Sequence, residues 1–185
     1  TVEQTEAQGQ NIGYLLLNAL NGKQAIDITE CSISIMAKTI SLPLDNNNFK
    51  LGFALGVIKH GTTSWMQVRT EVAAFNIGPA SFLTIPGEIY PEIVNGGVVS
   101  PQGQDYKISP IEVPSLRSIM DGEFKFIFGL ANDEIGYIIP KSEWDEKPPY
   151  LYHLDDSPYG EENSIGPETG PLIYKHLVSL IKDLK

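Results

Sequence analysis

Residues 66–88 read MQVRTEVAAFNIGPASFLTIPGE, and this stretch decides the fold. Its two apolar runs predict two strands, and NIGP between them predicts the turn that joins the strands. Pro-Gly ends the second run, and a carboxylate, Glu88, follows at once. Side chains at the carboxyl ends of buried strands commonly line a crevice, so Glu88 is a candidate site residue. The alternative is that Glu88 occupies the first turn of a following helix.

A second strand end carries polar groups. Residues 124–131 read FKFIFGLA, a composition that predicts a strand buried on both faces. This strand runs into residues 132–137, which end in Tyr137. If the two strands are neighbours, Glu88 and Tyr137 converge at one rim, where their oxygens suit a metal such as zinc. The alternative for Tyr137 is a packed ring with a hydrated hydroxyl.

The rest of the chain predicts a layered domain. Apolar spacing predicts helices over residues 4–20 and 169–184, and β-type composition predicts strand structure over residues 26–44. Residues 49–58 are compatible with either a helix or a strand, and residues 45–48 predict a polar loop. We therefore expect one α/β domain over residues 1–185, with α+β as the alternative, holding a mixed sheet flanked by helices.

Composition excludes several classes of function. The formal net charge of −10 and the scattered basic residues argue against a nucleic-acid partner, which needs clustered lysine and arginine. The single cysteine, Cys31, excludes an internal disulfide framework, and its apolar neighbours predict a buried side chain. The sequence holds no apolar run of the roughly 18 residues that a membrane-spanning helix needs.

Four motifs follow one another in an order that resembles a known family. They are PGE at 86–88, GLANDEIGY at 129–137, an acidic and aromatic segment with Glu143, Trp144 and Tyr150, and GPET at 166–169. This order resembles the neutral/alkaline (non-lysosomal) ceramidases, and the resemblance covers most of the chain from about Met66 onward.

The resemblance implies a reaction and a metal. Ceramidases hydrolyse the amide of N-acylsphingosine to sphingosine and a fatty acid, with one zinc ion held by two histidines, a glutamate and a tyrosine. Matched by motif, the glutamate is Glu88 and the tyrosine is Tyr137. Tyr150 is the nearest candidate for a further family tyrosine that polarises the scissile carbonyl. The resemblance also implies a secreted or outward-facing protein of sphingolipid metabolism.

The histidines depart from the family pattern. His60, His153 and His176 lie outside any histidine-dyad context, and the two family histidine ligands belong to a region N-terminal to the match. We therefore expect the C-terminal portion of a ceramidase-like catalytic domain, which carries half of a zinc site and needs the missing N-terminal part for activity. Two alternatives stay open: a non-catalytic binding or structural domain that keeps the fold, and a related hydrolase of non-lipid amides or esters. The oligomeric state is undetermined.

Overall fold

The structure, a computed structural model, describes residues 1–22 and 28–184. The chain divides into two units, Thr1–Cys31 and Ser32–Lys185. The first unit contains α1 (Val2–Asn21), which confirms the predicted N-terminal helix. In the second unit the helices and strands are β1 (Ile33–Pro43), α2 (Asn47–Ala54), β2 (Thr62–Ser64), β3 (Gln67–Ile77), β4 (Ala80–Thr84), β5 (Glu88–Ile89), α3 (Pro91–Asn95), α4 (Leu116–Ile119), β6 (Phe124–Phe128), β7 (Tyr137–Ile138), α5 (Tyr159–Glu162) and α6 (Thr169–Asp183).

The main sheet is mixed, as the sequence predicts. Its strand order is β1-β3-β4-β6, and β2 also pairs with β3. The predicted strand pair is the antiparallel hairpin of β3 and β4, which closes where Ile77 pairs with Ala80. β4 then pairs with β6 in parallel, so the two strands that precede Glu88 and Tyr137 are neighbours. Together with the flanking helices, this arrangement confirms the layered α/β architecture.

One face of the sheet forms the core against α6. Alternate residues of the strands, such as Leu42, Val72 and Leu83, point into this core and are buried. The helical spacing that predicts α6 places Ile173 and Leu177 on the side of the helix that meets β1 and β3. The core therefore lies between this face of the sheet and the C-terminal helix.

Much of the opposite face of the sheet is apolar and partly exposed. Phe75, Phe82 and Phe126 stack across three adjacent strands, with ring centroids 4.7 Å and 5.0 Å apart. By strand register the apolar part of this face, which we call the outer face, is formed by Ile33, Ile35, Ala37, Ala73, Phe75, Ile77, Ala80, Phe82, Phe124, Phe126 and Phe128. The same side of β1 and β3 continues into a polar end that carries Thr39, Ser41, Gln67, Arg69 and Glu71.

The expectation that residues 124–131 are buried on both faces is wrong. β6 lies at the edge of the sheet, and Phe124, Phe126 and Phe128 on its outer side are 45–49% exposed. The apolar content of a strand does not by itself show whether both of its faces are buried or whether one face is exposed.

The segment before β2 also differs from expectation. The predicted loop at residues 45–48 gives way to α2 at Asn47, because the Asn46 side chain caps the helix by accepting hydrogen bonds from the N–H groups of Asn48 and Phe49. Residues 49–58 therefore begin as a helix. The predicted strand region 26–44 begins outside the described residues and continues as β1. Cys31 is exposed, contrary to the burial expected for it.

None of the helices within the described ranges combines the length and the hydrophobicity that crossing a bilayer requires.

Leu177→Ala tests the packing of α6 on the sheet. Leu177 is fully buried, and deleting its side chain leaves a cavity, so we expect the free energy of unfolding to fall by about 2–5 kcal/mol. Leu154→Ala is the matched control, because Leu154 is about half exposed and its truncation should cost less than about 0.5 kcal/mol. Urea denaturation measures both changes, and equal losses would show that α6 does not bury this face.

Candidate functional site

Two short strands place Glu88 and Tyr137 side by side. β5 pairs with β7 in parallel, and Glu88 is the register partner of Tyr137. The Glu88 N–H donates to the Gly136 carbonyl at 3.0 Å, and the Tyr90 N–H donates to the Ile138 carbonyl at 3.0 Å. The sequence-based expectation that these two residues converge therefore holds in the structure. Glu88 does not sit in a helix, because α3 begins only at Pro91.

A glycine precedes each of the two side chains because the backbones approach too closely for any other residue. A Cβ on Gly87 would lie 2.4 Å from the Gly136 carbonyl oxygen. A Cβ on Gly136 would lie 1.9 Å from the Asn163 carbonyl oxygen, and Gly136 also has a positive φ of 86°. The glycines in the PGE and IGY sequences thus permit the contact that aligns Glu88 with Tyr137.

Glu88 and Tyr137 line one cavity of about 300 Å³. The other polar residues that line it are His60, Glu134, Tyr159 and Asn163. The apolar lining is formed by Phe49, Phe53, Ile58, Val68, Ile135 and Ile165. The cavity therefore combines apolar side chains with carboxylates and phenols.

The Glu88 carboxylate controls the protonation of Tyr137. Side-chain hydrogen bonding to Glu88, reinforced by desolvation and by the negative charge of Glu88, raises the pKa of the Tyr137 phenol above its ordinary value. In this arrangement the phenol keeps its proton at neutral pH. A divalent cation between the two oxygens would act in the opposite direction and favour the phenolate.

His60 reaches the same cavity but is engaged by other groups. Its Nε2 lies 2.8 Å from both carboxylate oxygens of Asp133, and its Nδ1 donates to the Gly61 carbonyl at 3.0 Å. Burial works to raise the pKa of Asp133, but hydrogen bonds from Thr70 and His60 outweigh it and lower that pKa. With both ring nitrogens facing oxygen acceptors, His60 offers no free lone pair to a metal.

The tyrosine that the structure brings to the cavity is Tyr159. Its ring meets the Tyr137 ring edge to face, with centroids 5.7 Å apart, and it lines the cavity. Tyr150, the candidate suggested by the resemblance, is half-buried at the start of a 3₁₀ turn and does not contribute to the lining. In the sequence, the only signal for Tyr159 is its place just before the acidic and glycine-rich stretch that ends in GPET.

A buried pair of carboxyl groups supports the wall that carries Tyr159. Asp145 and Glu161 are 3% and 5% exposed. Glu161 Oε1 accepts a hydrogen bond from the Asp145 N–H at 3.2 Å, and Asp145 Oδ2 accepts one from the Leu151 N–H at 2.7 Å. Desolvation, assisted by the nearby charge of Asp145, raises the pKa of Glu161 to about 7.

Glu88 and Tyr137 supply two oxygen donors that face one cavity. A structural or catalytic zinc needs at least three protein ligands. Within residues 1–22 and 28–184, no group of three or more histidine, cysteine, aspartate or glutamate side chains is arranged to hold a metal ion. The two oxygens would therefore need further ligands to hold a zinc ion.

Comparison of the chain with protein-family models, with curated proteins and with solved structures finds no match.

Gly136→Ala tests the close backbone approach at the site. The new methyl group would collide with the Asn163 carbonyl and strain the positive φ, so we expect a loss of at least about 2 kcal/mol in the free energy of unfolding. Gly61→Ala is the control, because its methyl group meets only the flexible side chain of Arg69 and should cost less than about 0.5 kcal/mol. Denaturant unfolding measures both, and a neutral Gly136→Ala would refute the proposed constraint.

The raised pKa of Glu161 implies that the free energy of unfolding depends on pH. Its pKa is raised from 4.5 to about 7 by folding, so the folded protein retains a proton that the unfolded chain releases. The contribution of Glu161 to stability is therefore fully present below pH 4.5 and falls by up to about 3 kcal/mol as the pH rises through about 7.

The variant Glu161→Gln removes this titration and should flatten the stability profile over that range, with a gain in thermal midpoint above pH 7. Glu162→Gln, at the exposed neighbouring position, should leave the profile of the wild type unchanged. Thermal unfolding from pH 4 to pH 8 compares the three proteins, and a parallel profile for Glu161→Gln would contradict the assignment.

Proposed function

We propose that the protein is a zinc-dependent amide hydrolase of ceramidase type, which cleaves N-acylsphingosine to sphingosine and a fatty acid. The observation that carries the proposal is the alignment of Glu88 with Tyr137 on paired strands at one cavity. These are the two residues that the resemblance to ceramidases assigns to zinc. The order of the four motifs supports the assignment independently of the geometry.

Zinc, when bound, lowers the pKa of a bound water to about 7 and so supplies hydroxide at neutral pH. Glu88 would contribute one carboxylate ligand and Tyr137 one phenolate ligand. The Tyr137 proton, which the interaction with Glu88 stabilises, must leave before Tyr137 Oη can bind a cation. Metal binding is therefore coupled to proton release at this atom.

Tyr159 is the residue of this chain that is best placed to act on the substrate. Its edge-to-face contact with Tyr137 holds its ring beside the proposed ligands. A phenol at this position can donate a hydrogen bond to the carbonyl oxygen of the scissile amide, where negative charge develops during attack. Tyr150 is the alternative for this role, and comparison of Tyr159→Phe with Tyr150→Phe distinguishes the two residues by kcat.

The lining of the cavity suits an amide with an aliphatic chain. Phe49 and Phe53 of α2, together with Ile58, line the same cavity as the carboxylate and phenol groups. An aliphatic chain gains free energy by leaving water against these apolar side chains.

We infer that further residues of the same polypeptide, N-terminal to Thr1, complete the catalytic domain. Two histidine ligands are needed to complete the proposed zinc site. The outer face supports the same inference, because an exposed apolar sheet face of this kind is normally covered by another protein layer. Its stacked phenylalanines suit a second packed layer rather than solvent. Secretion or an outward-facing location forms part of the same proposal.

A non-catalytic domain that keeps the fold is the second candidate. The observation that favours it is that the described residues contain no cluster of three metal-binding side chains. A binding domain of this kind would tolerate Glu88→Gln without loss of metal or activity. A hydrolase of non-lipid amides would instead retain zinc and reject N-acylsphingosine.

Metal analysis of the intact protein tests the proposal. We expect about one zinc per molecule in the wild type and a loss of roughly tenfold or more in zinc affinity in Glu88→Gln and Tyr137→Phe, because each removes an anionic ligand. The matched controls are Glu162→Gln and Tyr152→Phe, which alter exposed residues away from the cavity. Equal zinc content in all five proteins would refute the site assignment.

A further inference from the structure

The side chain of Asn46 connects α2 to the segment that follows α5. Its Oδ1 accepts hydrogen bonds from the N–H groups of Asn48 and Phe49, and so caps α2. Its Nδ2 donates to the Glu162 and Ser164 carbonyls, both at 2.9 Å. The amide of Asn46 therefore uses two acceptor positions and two donor positions, which is its full hydrogen-bonding capacity.

The backbone beside the Asn46 side chain strengthens this connection. The N–H groups of Asp45 and Asn46 both donate to the Ile165 carbonyl, at 2.8 Å and 3.1 Å. Gly166 comes so close that a Cβ there would lie 2.9 Å from the Asp45 Cβ. Four hydrogen bonds therefore hold residues 45–46 against residues 162–165.

The segment that Asn46 holds is also the segment that contacts both tyrosines of the site. The Asn163 carbonyl accepts a hydrogen bond from the Tyr137 N–H at 3.0 Å, and an isolated β-bridge joins the same two segments. The Asn163 side chain donates from Nδ2 to the Tyr159 backbone carbonyl at 2.9 Å. Asn46 thus binds the two carbonyls on either side of the carbonyl that holds Tyr137.

The helix that Asn46 caps carries part of the apolar lining of the cavity. Phe49 and Phe53 are four residues apart, so they share one side of α2, and both line the cavity that contains Tyr137. One side chain therefore fixes the start of this helix and the position of residues 162–164. The distance between the apolar and the phenolic parts of the lining depends on it.

We propose that Asn46 is a positioning residue of the candidate site, which holds Tyr137 and Tyr159 in place relative to the apolar side chains of α2. Its role in catalysis rests on the proposed function, whereas the geometry that it controls belongs to the metal-free protein. Serine and aspartate cap helices as well as asparagine does, but neither side chain supplies two N–H donors. Glutamine has the donors but is not among the preferred capping residues.

Loss of the two donors would free residues 162–164 without removing the cap of α2. The Asn163 carbonyl would then hold the Tyr137 N–H less tightly, and the phenol of Tyr137 would sample positions away from the Glu88 carboxylate. Ligands that are held less rigidly bind a metal ion less tightly. The expected result is a weaker zinc site in a protein whose core is intact.

Hydrogen exchange of the intact, chelator-treated protein, followed by NMR, tests the positioning directly. Asn46→Ser keeps a capping hydroxyl and removes both donors, so we expect the Tyr137 N–H to exchange roughly tenfold faster. The N–H groups of α6 should exchange as they do in the wild type, because the core stays folded. Asn47→Ser is the matched control at the next, exposed asparagine, and should leave the exchange of Tyr137 unchanged.

A second variant separates the donors from the cap. Asn46→Asp has nearly the same shape, and its carboxylate is a good cap that also suits the helix dipole, but it presents no donor to the two carbonyls. Nuclear Overhauser effects between the Tyr137 and Tyr159 rings, whose centroids are 5.7 Å apart, should weaken in both Asn46 variants. Asn47→Asp, which adds the same charge, should retain them.

Zinc affinity measures the consequence for the proposed function. Both Asn46 variants should bind zinc roughly tenfold or more weakly than the wild type, as is typical when a group that orients a metal ligand is removed. The two Asn47 variants should bind zinc as the wild type does.

Three outcomes would overturn the proposal: unchanged exchange of the Tyr137 N–H in both Asn46 variants, equal acceleration of exchange in α6, and unchanged zinc affinity of these variants when the wild type binds zinc. The second outcome would show a loss of global stability instead of a local loosening. A wild type without zinc would refute the proposed function alone. The exchange rates and the ring contact, which are measured without metal, would still decide whether Asn46 positions the two tyrosines.

Discussion

The candidate site depends on the pairing of β5 with β7. These strands are only two residues long each, and their backbones come together because Gly87 and Gly136 leave room that a side chain would fill. Once the backbones pair, the next residue of each strand has a fixed direction, and Glu88 stands beside Tyr137. The chemistry of the site is thus positioned by backbone hydrogen bonds, which are more rigid than contacts between flexible side chains.

The two faces of the main sheet differ in what packs on them. One face is buried by α6, and the outer face presents stacked phenylalanines whose edge residues Phe124, Phe126 and Phe128 stay about half exposed. The hydrophobic effect acts on both faces, so the exposed apolar part of the outer face suits a further protein layer.

Several features were predictable because their signals are local. The helical spacing of α6 and the NIGP turn between β3 and β4 depend on residues close in sequence, and both predictions are confirmed. The prediction that β6 is buried on both faces was wrong, because burial depends on which other segments pack on a strand. The residues of the strand do not specify those segments. The sequence did not predict Tyr159 as a site residue for a similar reason, since only the folded chain brings α5 to the cavity.

The sequence by itself determined the strands β1, β3, β4 and β6, the C-terminal helix α6 and the mixed character of the sheet. It also singled out Glu88 and Tyr137, because both follow the ends of apolar runs. Only the tertiary structure decided that these residues share a cavity with Tyr159, that His60 turns both ring nitrogens to oxygen acceptors, and that one sheet face stays open. The reason is physical: propensities and turns act over a few residues, whereas cavities and uncovered faces arise from contacts between segments far apart in the chain.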